Sequence, residues 1–122
     1  MTEKDYTTPS LAYLGDCVFE LCVREHLVRS GVSRSATLNR AALAYVTAPK
    51  QAAFMEKIRG TLTEEEQLVC RRGRNMPHAK IPKSASAAEY GRATELEVLF
   101  GYLYLTENKA RIDELFSIIC EE

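Results

Sequence analysis

No stretch of this chain stays apolar for anything near the roughly 20 residues a membrane-spanning helix needs. The opening MTEKDYTT likewise has no secretory-signal pattern. Both absences predict a cytoplasmic protein with no membrane partner. The four cysteines, Cys17, Cys22, Cys70 and Cys120, show no C-x-x-C spacing and are too sparse for a disulfide framework. Reduced, mostly buried thiols are expected, and no thiol nucleophile. His26 and His78 have no partner at metal-ligand or triad spacing. No G-x-x-x-x-G-K-S/T loop is present to cradle a nucleotide. A net charge of −1 excludes a global pull toward nucleic acid, so any such affinity must come from a local patch. Strand-like alternation, internal repeats and low-complexity tracts are also missing, which leaves an all-α reading.

What is there suits a globular protein. Hydrophobic residues make up 46% of the 122 residues and charged residues 27%, enough for one compact domain over 1–122 with a real core. Thr8 and Pro9 predict a helix start, with Thr8 as the cap, and Ser30-Gly31 predicts its end. Along this first helix the apolar residues cover nearly the whole circumference: Leu11, Leu14, Val18, Leu21 and Val28 on one face, and Ala12, Phe19, Val23 and Leu27 on another. Such a helix is expected to be central and its one early acid, Asp16, enclosed. A second helix is expected over Arg34–Val46 with Ser33 as its cap, and a third from Thr47-Ala48-Pro49 to Arg59. Thr63-Glu64-Glu65-Glu66 and Ser86-Ala87-Ala88-Glu89 are capping-box patterns. The first opens a helix to about Arg72 and the second one to Leu105. An amphipathic stretch over Lys109–Cys120 completes the set. Gly31, Gly60 and Gly73 read as helix stops, and Gly73–Lys83 as one long loop.

Two features carry chemistry. Asp16 lies in LAYLGDCVFE and Glu97 in LEVLFGYLYL, the two most apolar segments, each near a glycine (Gly15 and Gly101). Burying a carboxylate costs several kcal/mol unless a cation, a donor cluster or a proton compensates it. A shared divalent ion would serve both acids, and Mg²⁺ commonly takes one or two protein carboxylates while keeping several waters. Satisfied core carboxylates, each paired with Arg or Lys, fit the pattern as well. Glu20, one turn beyond Asp16, is either a solvated charge or a further group at the site. The second feature is the acid-free interval between Glu66 and Glu89, which holds Arg71, Arg72, Arg74, His78, Lys80 and Lys83. Arginine forks and flexible lysines suit a polyanion, and Asn75 and Ser84 add neutral donors. The interval has no aromatic residue, which points to backbone recognition of a duplex rather than stacking on single strands. A solvated loop charged for solubility is the plainer alternative.

The segment LAYLGDCVFE resembles the signature helix of the ribonuclease III family, L-E-F/Y-L-G-D-A/S-V/I/L-L. The likeness continues through LNRAAL at Leu38–Leu43, RRGRN at Arg71–Asn75 and EVLFG at Glu97–Gly101, and so covers almost the whole chain. Its length and the RRGRN stretch look most like the short Mini-ribonuclease III branch, which has no double-stranded-RNA-binding domain. The resemblance implies a ribonuclease III-type helical fold and an obligate homodimer joined through the signature helices. It also implies a Mg²⁺-dependent endoribonuclease that cuts double-stranded RNA, leaving 5′-phosphate and 3′-hydroxyl ends, in the maturation of precursor ribosomal RNA. Asp16 and Glu97 match the family's catalytic metal carboxylates, while Arg71, Arg72, Arg74, Asn75, Lys80 and Lys83 become the RNA-binding residues. Two acids of the larger enzymes are replaced here by Ala12 and Thr94. Two rivals remain: a catalytically silent RNA-binding or ribosome-assembly protein on the same fold, and a helical dimerisation module.

Overall fold

The structure, a computed structural model, describes residues 6–77 and 85–121. Six helices and no strand appear among them: α1 (Thr8–Arg29), α2 (Ser35–Val46), α3 (Ala48–Arg59), α4 (Glu64–Arg74), α5 (Ala87–Leu105) and α6 (Lys109–Cys120). None of these helices is long and apolar enough to cross a membrane.

Both capping boxes form. The Thr63 hydroxyl accepts the Glu66 amide at 3.1 Å, and the Glu66 carboxylate accepts the Thr63 amide at 2.9 Å. Ser86 and Glu89 repeat the arrangement at 3.1 and 3.0 Å. Each box satisfies two amides that helical bonding cannot reach. Two other expected caps shift. In α1 the cap is Thr7 rather than Thr8, its hydroxyl accepting the Ser10 amide at 3.2 Å with Pro9 inside the first turn. In α2 the extended residue before the helix is Arg34, and no side chain, Ser33 included, caps it. Gly31 does end α1, in a left-handed conformation at φ +92°. Gly73 is no stop: α4 runs through it to Arg74, and the connection to α5 is correspondingly shorter.

The centre of the molecule is α5, packed on different sides by α1, α3 and α4. Its buried residues include Ala93–Leu96 and Val98–Leu103, so it has hardly any solvated face. The helix expected to be central, α1, buries only one side. Leu11, Val18, Phe19, Val23 and Leu27 point inward, whereas Tyr13, Leu21 and Val28 are 86%, 60% and 62% exposed. Phe19 joins three helices by meeting Phe100 of α5 and Phe116 of α6 edge-on, at centroid distances of 5.4 and 5.9 Å. His26 sits edge-on to Tyr45 and Phe116, a packing role.

Two glycines set how closely α1 and α5 approach. A Cβ at Gly15 would run into the Glu97 carbonyl group, and one at Gly101 into the Leu11 carbonyl oxygen. The helices therefore cross backbone to backbone, each presenting its glycine to the other. Gly60, by contrast, faces open space at the end of α3. Gly15→Ala should lower the unfolding free energy by more than about 3 kcal/mol, at or beyond the upper end of ordinary overpacking costs. Gly60→Ala should be neutral or slightly stabilising. Urea denaturation of the two variants checks both outcomes.

Candidate active site

The close α1–α5 crossing brings Asp16 and Glu97 together although they come from opposite ends of the chain. Asp16 is exposed, not enclosed as its sequence surroundings suggested, and Glu97 is half-buried beside it. The two carboxyl groups are hydrogen-bonded to each other. Burial pushes the Glu97 carboxyl up to about 8, with the Asp16 charge and the shared hydrogen bond adding to the shift. A proton held between the two carboxyl groups relieves their repulsion at neutral pH. The pair lies in an open cleft of about 590 Å³, walled by Ala12 and Cys17 of α1, Tyr90 and Thr94 of α5, and Met76 beyond α4. No lysine or arginine lines this cleft among the described residues. Ala12 and Thr94, where larger relatives were expected to carry acids, are indeed wall residues. The Thr94 hydroxyl is turned onto the Tyr90 carbonyl at 2.9 Å.

Other buried acids in the fold are treated differently. Glu95, two residues from Glu97, is 1% exposed and takes both arms of the Arg59 guanidinium at 2.7 and 3.4 Å. Glu66 receives Arg111 at 2.9 Å as well as its capping amide. Those are satisfied core carboxylates, the plainer alternative open to Glu97. Glu97 has no such cation among the described residues, and its carboxyl is raised instead. The Glu95–Arg59 pair escaped sequence reading because the two residues belong to different helices and share no motif. Glu20 lines the cleft but pairs with Arg24 at 3.2 Å. Among the described residues no cluster of three metal-ligating side chains forms, and with Glu20 paired to Arg24 the cleft offers the Asp16–Glu97 couple as donors. That set fits a divalent ion which retains water and leaves coordination positions for a phosphate.

The basic residues do not form one loop. Arg71, Arg72 and Arg74 are helical, on the last turn of α4, and Asn75 is its C-cap. Successive side chains around a helix point different ways, and the cluster is divided accordingly. Arg71 and Arg74 share a hollow with Arg59, Gln67 and Glu95, and have no ion-pair partner among the described residues. Arg72 turns to the other side, toward the start of α1. His78, Lys80, Lys83 and Ser84 lie outside the described residues. All four cysteines are free, yet only Cys70 is buried, against the expectation for the set. Cys22 and His26 line one surface hollow, but burial pushes the Cys22 thiol up to about 11, which suits packing rather than nucleophilic attack.

The raised Glu97 carboxyl predicts an unusual pH dependence for the protein free of divalent ions. Unfolded, this group titrates near its ordinary 4.5; folded, near 8. Between those values the folded state holds the extra proton, so stability should fall as pH rises through the window and level off above it. Glu97→Gln should remove that fall, as judged by urea midpoints at pH 5 and pH 8.5.

Comparison with known proteins agrees with this geometry. The Ribonuclease III domain family matches residues 9–108. The chain is 48% identical to the Mini-ribonuclease 3 of Symbiobacterium thermophilum, over 87% of this chain and 82% of that protein. It is 40% identical to that of Enterococcus faecalis, over 88% and 83% of the two chains. A crystal structure of a Fusobacterium nucleatum protein superposes with a TM-score of 0.85 at 33% identity, covering 94% of this chain and 92% of that one. With two acids sharing an open cleft at the crossing of two glycine-bearing helices and relatives this similar over most of its length, the chain belongs to the ribonuclease III family of endoribonucleases, on its Mini-ribonuclease 3 branch.

Proposed function

We propose that this chain is a Mg²⁺-dependent endoribonuclease that cuts double-stranded RNA as a homodimer, in the maturation of precursor 23S ribosomal RNA. The observation that carries the reading is the Asp16–Glu97 pair, a carboxylate couple in an open cleft that no lysine or arginine lines among the described residues. A pure binding surface for RNA would gain nothing from two acids facing its phosphates. Asp16 and Glu97 would hold a divalent ion there, whose chemistry when bound would be charge neutralisation at the scissile phosphate and activation of a water for in-line attack at phosphorus. Because burial raises the Glu97 carboxyl, ion binding by this pair would compete with its protonation.

Arg71, Arg74 and Asn75 are the described candidates for contact with the duplex backbone, and Lys80 and Lys83 extend the same basic interval. The ribosomal substrate rests on the resemblance to the short branch. Support for the homodimer comes from α1. Tyr13, Cys17, Leu21 and Val28 follow one another at intervals of four, four and seven residues along its exposed side, next to Asp16. An apolar stripe this continuous is costly to leave in water. Covering it with a second copy would also bring two clefts near one another, as cutting both strands requires.

Incubation of labelled duplex RNA with the protein tests the activity. The wild type should cleave with Mg²⁺ and not with EDTA. Asp16→Asn and Glu97→Gln should each lose at least about 100-fold in rate, in the range seen when a principal electrostatic group of a site is removed, while still binding RNA. Binding without any cleavage by the wild type would favour the silent RNA-binding protein instead. Arg71→Ala with Arg74→Ala should make the dependence of log affinity on log salt shallower by nearly 2, at about 0.9 per phosphate contact. An unchanged slope would take these arginines off the RNA path. Leu21→Glu should convert the dimer to a monomer in sedimentation analysis and abolish double-strand cutting.

A further inference from the structure

The geometry points to Arg72 as a positioning residue that holds the Asp16–Glu97 pair at its working separation, not as a phosphate contact. The inference deepens the nuclease reading and rests on it. Arg72 Nε donates to the Thr8 hydroxyl at 3.1 Å and Nη2 to the Tyr6 carbonyl at 2.6 Å. Thr8 is the first residue of α1, and Tyr6 immediately precedes its capping residue. The arginine therefore ties the end of α4 to the start of the helix that carries Asp16, two turns further along.

Its neighbour completes a bracket. Gly73 is buried against the other site helix: a Cβ there would lie 3.1 Å from Glu95 Cα, from the Thr94 carbonyl oxygen and from Val98 Cγ2. That contact falls within one helical turn of Glu97. Beyond the α4 cap, Met76 forms part of the cleft wall. The last turn of α4 thus links the two site helices, hydrogen-bonded to α1 through Arg72 and packed against the α5 backbone through Gly73. The Gly15–Gly101 crossing sets the separation of the two helices where they touch. The bracket sets the angle at which the first two turns of α1 leave that crossing, and hence where Asp16 stands relative to Glu97. Two carboxylates that share one small ion tolerate little error in their separation. Groups that orient metal ligands typically change metal affinity by about 10–100-fold when removed.

The test uses Mn²⁺ as the probe, followed by its electron paramagnetic resonance signal on titration with protein free of RNA. Cleavage rates and RNA binding over a salt series are measured alongside. Arg72→Ala should weaken Mn²⁺ binding about tenfold. It should raise the divalent concentration needed for half-maximal cleavage by a similar factor, and leave the salt slope of RNA binding unchanged. Arg72→Lys, which can still reach one acceptor, should recover part of the ion affinity. Thr8→Val, which removes one acceptor and no charge, should shift ion affinity in the same direction as Arg72→Ala and guards against a variant that does not fold. Weaker RNA binding with a salt slope shallower by about 1, at unchanged Mn²⁺ affinity, would overturn the inference and make Arg72 a phosphate contact. Wild-type Mn²⁺ affinity in both Arg72→Ala and Thr8→Val would overturn it too. If wild-type protein neither binds Mn²⁺ nor cleaves, the nuclease reading itself fails, an outcome distinct from failure of the bracket alone.

Discussion

The backbone-to-backbone crossing of α1 and α5 is the constraint on which the rest of the molecule depends. Gly15 and Gly101 each lie against a carbonyl group of the opposite helix, and any side chain at either position would force the helices apart. This contact delivers Asp16 and Glu97 to the same cleft. With a pair of alanines instead, the helices could still pack, but at an ordinary interaxial distance of about 8–10 Å. Two short acidic side chains would then no longer meet across the gap. The glycines cost helix stability, and the fold recovers it through α5, which is buried on nearly every side.

Within that frame the treatment of charge separates scaffold from site. Glu95 and Glu97 are two residues apart on one helix, hence roughly 200° apart around it at 3.6 residues per turn. The first turns into the interface with α3 and is neutralised by Arg59; the second turns toward the cleft, where Asp16 and no described cation meets it. Glu66 and Arg111 make a further neutralised pair, tying α4 to α6. A fold that supplies guanidinium groups to its other buried acids withholds one from Glu97. The resulting strain is electrostatic, is relieved by a proton in the free protein, and is available to a cation.

Much of this architecture was legible in the residues. The capping boxes at Thr63 and Ser86, the stop at Gly31 and the ends of α3, α5 and α6 follow from local chemistry, because each involves amides and side chains within four residues of one another. Gly73 misled because glycine has two uses that sequence does not distinguish: a left-handed helix end, or a gap that admits a neighbour's backbone. Only the presence of α5 at 3.1 Å shows which use applies. The enclosed position expected for Asp16 failed for a related reason. Apolar residues all round α1 predict partners on all sides, and the chain alone covers just one side, leaving Tyr13, Leu21 and Val28 in solvent. The thiols followed suit, since Cys17 lies on that uncovered side.

The basic interval shows the same division at finer scale. Its composition is a property of sequence, and so was the suspicion of a polyanion. Where each charge goes is not, because a helix turns adjacent residues about 100° apart and distant segments determine what each then meets. Local signals thus determined, from sequence alone, that this chain is helical, that two acids sit in its most apolar segments, and that positive charge is concentrated before α5. Tertiary structure decided that the acids touch, that Glu97 keeps its proton while Glu95 finds an arginine, and that Arg72 faces the start of α1 while Arg71 and Arg74 face α3. The physical reason is range: capping and helical period act over a few residues, whereas desolvation and charge pairing depend on groups brought together from far along the chain.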